Sequence, residues 1–476
     1  MTNVRDSGGV ARPGATQGHP DPRQACADGI RTLAHWAAGM RAAHVPAAAL
    51  RRAAQVLADD LGAMIGARDE PEVAAFHART LARAGAPEST VFRGGRSRTD
   101  RRSAAVANAM AGDWLELDEG YRLTPCHAGL YVLPALLAEA EARDLPLFEL
   151  LRVLAVGYEV VTRVARGFSP RVLNLHSHAR YCAVGACAAT ALAEGASGEL
   201  LHTALDAAAT LINAGPRNHL ISGALVRNVW PAVGAWSGMM SVEWAHCGIA
   251  GAADAFHDVY AGLLDSEVHP ARLTEGLGAS WAVQDGYSKV FACCQHLHSA
   301  VEATLDARRE VLQHGGIEQV ASIVVEGHPL ALLLPNPRPS TTLGAKFSLP
   351  HAVAAALVTG SGGADAFASA TLADPHIAAL REHVVIEAYP SLPPPPNDRP
   401  ARVRINLRSG ASAVAACASA QGGPDRPFPP GVVADKLRAL AAPVYPHLPG
   451  VMAEVLALDA PRMAQGWSAI VGEMCA

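Results

Sequence analysis

Four segments of this 476-residue chain place histidines, carboxylates and basic side chains among small or turn residues inside an otherwise apolar sequence. The first runs from Asn108 through Asp113, Glu116, Asp118 and Glu119 to Gly120, and His127 follows eight residues past Glu119. Clustered carboxylates and a histidine at a helix–loop–helix junction would suit general acid–base chemistry; a solvated helix end is the ordinary alternative. The second is Asn174-Leu-His176-Ser-His178-Ala-Arg180, which leads into the small-residue stretch at Gly185. Its two histidines would face a pocket or ligate a metal. In the third, Ser222 to Asn228, Arg227 falls early in a helix, where it would suit a bound carboxylate or simply sit at the surface. The fourth begins at Lys289 and continues through Cys293, Cys294, His296 and His298, while Lys346 opens another helix in Ala345-Lys-Phe-Ser348.

The elements that must position these residues are mainly helical. Half of the residues are hydrophobic but only 5% are aromatic, so the core is built from Ala, Leu and Val, which favours closely packed helices over a β-sandwich. Helical periodicity covers most of the chain to about residue 265, as in Pro46 to Ala67, where apolar residues recur at steps of three and four. The pattern then changes. The stretches 320–326, 383–388, 401–407 and 412–418 are strand-like and are interleaved with helices over 295–313 and 348–359. The reading is a mainly α protein with an inserted α/β domain: a tail over 1–24, a helical domain over 25–283 and 426–476, and an α/β lid over 284–425.

Composition excludes several classes of function. A formal net charge of −5 gives no basic excess for a phosphate backbone, so no nucleic-acid partner is expected. No run reaches the 18 or more apolar residues of a membrane span, and the polar, Gly- and Pro-rich start is not a signal peptide. Nine scattered cysteines with no CxxC spacing read as reduced thiols of a cytoplasmic protein, with no iron–sulfur or zinc-ribbon pattern. Of 39 basic residues only three are lysines, Lys289, Lys346 and Lys436. Each therefore stands against a strong compositional bias toward arginine.

In this order, the segments resemble the 2-methylcitrate dehydratase (MmgE/PrpD) family, which includes cis-aconitate decarboxylase and iminodisuccinate epimerase. The markers are Asp60-Leu-Gly62 with Ile65-Gly66, the Asn108 to Gly120 segment, and His127-Ala-Gly129 with Pro134-Ala-Leu-Leu-Ala. They continue through Gly157-Tyr-Glu159, Gly185-Ala-Cys-Ala-Ala, Lys289 with Cys294 and His298, and Ala345-Lys-Phe-Ser348. The resemblance covers about residues 30 to 470. It implies a helical domain made from both chain ends, an inserted lid, a homodimer and a cofactor-free cleft between the domains.

The resemblance also implies roles. The family's two pocket histidines fall on His127 and His176 and its lid lysine on Lys289. Its helical-segment lysine falls on Arg227, its pocket aspartate on Glu116, the histidine before that on Asp113, its threonine on Gly120 and its lid tyrosine on Leu334. Family substrates are small di- or tricarboxylates with an acidic C–H beside a carboxylate. An imidazole suits proton abstraction there, and nearby cations would stabilise the enediolate. The expected catalytic residues are His127, His176, Lys289 and Glu116, with Glu116 as the acid of a dehydration. Substrate binding is expected from Arg227, Lys346 and Gly120. The leading function is a hydro-lyase, with an epimerase or decarboxylase of the same fold as the near alternative. The two HxH pairs leave open a metal-dependent hydrolase, and the pocket departures leave open a non-catalytic ligand-binding protein.

Overall fold

Alanine, with its small side chain and high helix propensity, dictates the architecture: the apolar periodicity becomes helices that cross closely. The computed structural model describes residues 21–476. The helices are α1 (Pro22–Gly39), α2 (Ala47–Gly66), α3 (Pro71–Leu81), α4 (Arg101–Trp114), α5 (Ala128–Arg143), α6 (Leu147–Gly167), α7 (Ser177–Ala193) and α8 (Gly198–Ala209). They are followed by the short α9 (Arg217–Ile221), α10 (Trp230–His246) and, after a long irregular stretch, α11 (His298–Gln313). The tail expected over 1–24 is shorter than read, because the Asp21 side chain caps Arg23 N at 3.0 Å and Pro22 opens α1. The rest of that tail lies outside the described residues.

The innermost layer is α5 and α7, nearly every residue of which is buried. Glycine lets α10 lie directly on α7. A Cβ at Gly234 would stand 2.2 Å from Cys182 Cβ, and one at Gly238 2.4 Å from the Ala183 carbonyl oxygen. The C-terminal helices pack against this body. Gly62 on α2 meets Leu437 in the Val432–Ala441 helix, Lys436 Nζ reaches Asp59 at 2.6 Å, and the Tyr445 hydroxyl accepts from Gly94 N at 2.9 Å.

The strand-like stretches form one four-stranded sheet of β1 (Val320–Gly327), β2 (Val384–Ala388), β3 (Ala401–Leu407) and β4 (Ser412–Cys417), in the order β4-β3-β1-β2. β1 pairs with β2 in parallel and with β3 antiparallel, and β3 pairs antiparallel with β4. Along β3, Ala401, Val403, Ile405 and Leu407 are buried while Arg402, Arg404 and Asn406 turn outward. That alternation lays one face against α11. The molecule is therefore mostly helical with a small sheet domain, as the sequence reading expected. Among the described residues no helix is long and apolar enough to cross a membrane.

A short ladder joins the two regions at the chemistry. Gly120 pairs with Tyr287 and Tyr121 with Gly286, which sets the acidic loop beside the segment that delivers Lys289.

Because the α7–α10 contact has no room for a methyl group, Gly238→Ala is expected to destabilise the protein by roughly 1–3 kcal/mol through overpacking. Denaturant titration monitored by circular dichroism checks this; an unchanged midpoint would contradict the account of the crossing.

Candidate active site

Two histidines reach the site because each stands where a helix begins. His127 is the N-cap residue of α5 and His176 the N-cap residue of α7. With Glu116, Lys289 and Arg227 they line one cavity of about 200 Å³, together with Tyr287, Cys294 and Phe347. The sequence-predicted set thus converges with two exceptions. Lys346 does not line the cavity; it is buried, and its Nζ donates to the Trp114 carbonyl oxygen at 2.8 Å, holding the end of α4. Gly120 is likewise buried away from it, and its lack of a side chain makes room for Tyr287, whose hydroxyl would be 2.3 Å from a Cβ at that position. Leu334 is fully buried and does not contact the cavity.

Beneath the cavity lies a network of buried charge. Arg227 Nη1 sits 2.6 Å from both Asp113 Oδ1 and Glu116 Oε1. Lys289 Nζ is 3.5 Å from Glu116 Oε2 and 3.6 Å from Asp118 Oδ1. All five side chains are at most 2% exposed. Arg227 belongs to a 3-10 turn, Leu225–Val229, ahead of α10, rather than to the helix itself as the sequence suggested; its guanidinium lies over the Phe347 ring, 5.2 Å from the centroid. Glu116 holds a left-handed backbone, φ +55°, just past the end of α4, a costly conformation for a residue with a side chain. Burial raises the Asp113 carboxyl while Arg227 opposes the rise; Lys289 and His127 hold Asp118 below the ordinary carboxylate range despite its burial. Lys289 is raised by the carboxylates around it, Asp118 first, which outweigh its burial.

The hydrogen bonds assign different tautomers to the two histidines. His127 Nδ1 lies 2.8 Å from the Glu119 carbonyl oxygen, an atom that only accepts, so Nδ1 carries the proton. Asp118 Oδ2, 2.7 Å from the same nitrogen, fixes the ring electrostatically. The unprotonated nitrogen of neutral His127 is therefore Nε2. At His176 the arrangement is reversed: Nδ1 accepts from the backbone N–H of His178 at 3.3 Å, so Nε2 carries the proton. Burial and the nearby charges of His178 and Arg227 hold His176 well below the ordinary imidazole value, which keeps it neutral.

Residue spacing alone did not single out the residue that ties the site together. His178, fully buried, has Nε2 3.0 Å from Asp113 Oδ1 and Nδ1 2.9 Å from the Tyr131 hydroxyl. The HxH pattern pointed to it, yet its role depends on Asp113, 65 residues earlier. Asp113, Glu116 and His178 could together hold a metal ion, but Arg227 Nη1 already sits at ion-pair distance from both carboxylates. A guanidinium nitrogen in that place does not fit a cation. The second HxH pair is split: His296 lines the cavity, while His298 Nε2 is 3.1 Å from the Cys293 carbonyl oxygen. Three further arginines, Arg122, Arg217 and Arg399, also line the cavity and carried no distinguishing signal in an arginine-rich chain.

Replacing Arg227 tests the network. Arg227→Met strands two buried carboxylates and is expected to cost about 3–5 kcal/mol, whereas Arg227→Lys retains a charge and recovers part of the loss. Denaturant unfolding of both variants measures this, and equal stabilities for Met and Lys would refute it.

The MmgE/PrpD N-terminal domain matches residues 31–273 and the MmgE/PrpD C-terminal domain matches residues 291–458. A cis-aconitate decarboxylase-like protein, oryM, of Aspergillus oryzae is 25% identical over 358 residues, covering 69% of this chain and 73% of its own. The cis-aconitate decarboxylase of Aspergillus terreus is 24% identical over 351 residues, covering 68% and 71%. With both family domains matched in sequence order across most of its length, the chain belongs to the MmgE/PrpD family.

Proposed function

We propose that this protein is a lyase of small di- or tricarboxylates that works by histidine-mediated proton transfer next to a carboxylate, in a step that needs no cofactor. The observation that carries the reading is the opposed protonation of the two histidines lining one cavity: His127 offers a bare Nε2 and His176 a protonated one. In a dehydration, His127 Nε2 takes the C–H proton and the electron pair forms the new double bond, while the departing hydroxide is held by the hydrogen bond of His176 Nε2–H and leaves as water with the proton returned by His127. Glu116, expected from the sequence to be the acid, has its two oxygens facing Arg227 and Lys289, so the donor role passes to His176.

Decarboxylation is the second reading, and the relatives named cis-aconitate decarboxylase favour it. There the electron pair of the broken carbon–carbon bond shifts into the conjugated acid as CO₂ leaves, the His176 Nε2–H stabilises the developing charge by a hydrogen bond, and a solvent proton relayed by His127 quenches the carbanion. Epimerisation would need a second base facing His127, which a protonated His176 Nε2 does not supply. The proposed setting is a cytoplasmic homodimer in which the 284–425 region acts as a lid over a helical body formed by residues 25–283 and 426–476.

His127→Ala and His176→Ala are each expected to lower kcat by about 10²- to 10⁴-fold. Turnover of 2-methylcitrate, cis-aconitate and iminodisuccinate followed by NMR in deuterated water identifies the reaction. Full activity in both alanine variants would remove the histidines from the mechanism.

A further inference from the structure

The cations of this cavity divide into two sets with opposite states of compensation. At the inner end, Arg227 and Lys289 are outnumbered by Asp113, Glu116 and Asp118, and each cation already lies against two carboxylates. A substrate carboxylate placed there would add a fourth negative charge to a buried site that holds two positive ones. At the outer end the balance is reversed. Arg122, Arg217 and Arg399 line the cavity, and among the described residues only Arg122 is paired with a carboxylate, Asp398 Oδ1 at 2.8 Å.

Arg217 and Arg399 are the uncompensated members. Among the described residues the Arg217 side chain makes neither a hydrogen bond nor an ion pair, although its positive charge acts on His176, Cys294 and His296 around the cavity. Arg399 donates to the Gln295 side-chain oxygen and, at 3.4 Å, to the Arg122 carbonyl oxygen, but among the described residues it has no carboxylate partner and its buried Nε has no acceptor. Burial and the neighbouring charge of Arg122 work against its guanidinium charge. An anion in the outer cavity would relieve both effects.

We propose that Arg217 and Arg399 bind the substrate's non-reacting carboxylates, and that Arg227 and Lys289 are positioning residues holding Asp113, Glu116 and Asp118. Arg217 opens α9 in the helical region and Arg399 precedes β3 in the sheet domain, so a ligand with two or more carboxylates spans both. The cavity thereby selects polycarboxylates over monocarboxylates. This inference rests on the polycarboxylate reading above and deepens it.

The test is calorimetric binding of tricarballylate, an unreactive tricarboxylate, and of butyrate as the single-carboxylate control, to the full chain. Tricarballylate is expected to bind the unaltered protein far more tightly than butyrate does, with an affinity that falls as salt rises. Arg217→Met and Arg399→Met should each weaken it by about 10- to 100-fold, the usual worth of a charge-assisted hydrogen bond, and Arg217→Lys should restore part of the loss. The denaturation midpoint of the free protein should change little, which separates ligand recognition from a structural role. Tricarballylate binding that is absent from the unaltered protein, or undiminished in both methionine variants, would overturn the assignment. Arginine-dependent tricarballylate binding without turnover of any candidate substrate would instead sink the lyase reading and leave these two arginines as the anion site.

Discussion

The contact of Arg227 Nη1 with Asp113 and Glu116 at 2.6 Å sets the terms for the rest of the site. Carboxylates removed from water are costly unless each is met by a cation or a donor, and several of them lie together here at the end of α4. Arg227 and Lys289 meet that demand from segments more than 100 residues away, so the network is also a long-range tie between the start of α10, the acidic loop and the entry to the sheet domain. Its members fix one another: His178 turns toward Asp113, Tyr131 toward His178, and Asp118 toward His127. Cavity side chains that must hold one tautomer gain it from this framework rather than from solvent.

Close helix packing makes the framework possible. With little aromatic bulk, α7 and α10 approach until glycine is the only residue that fits between them, and the N-termini of α5 and α7 open onto the same cavity. An N-cap position suits a histidine in two ways. Its backbone is anchored by the helix, and its side chain remains beside free N–H groups that can choose the tautomer, as the His178 N–H does for His176. The ladder from Gly120–Tyr121 to Gly286–Tyr287 then brings Lys289 to the opposite wall. The strained left-handed backbone of Glu116 is tolerated where two cations hold its side chain.

Much of the fold was legible in the sequence because local patterns govern it. Apolar steps of three and four placed α2 within a residue of its ends, and the strand-like pattern along 401–407 located β3 without error. The cavity histidines and Lys289 were legible through motif order. Less legible were the residues whose function is a distance to something remote: Lys346 resembles a pocket lysine in sequence but supports the Trp114 carbonyl, and Arg217 and Arg399 look like any of 36 arginines. Arg227 was found but misread as a helical residue, because a 3-10 turn and the first turn of a helix share nearly the same spacing.

The amino-acid sequence by itself determined that the chain builds alanine-rich helices with a small sheet region, and that histidines, carboxylates and a rare lysine recur at the junctions between elements. Those properties depend on neighbours within a turn or two of chain. The tertiary structure decided which cations are already consumed by protein carboxylates and which remain for a ligand, and which nitrogen of each histidine is bare. Such decisions follow from Coulomb energy and hydrogen-bond direction across a desolvated space, where partners separated by more than a hundred residues count as nearest neighbours.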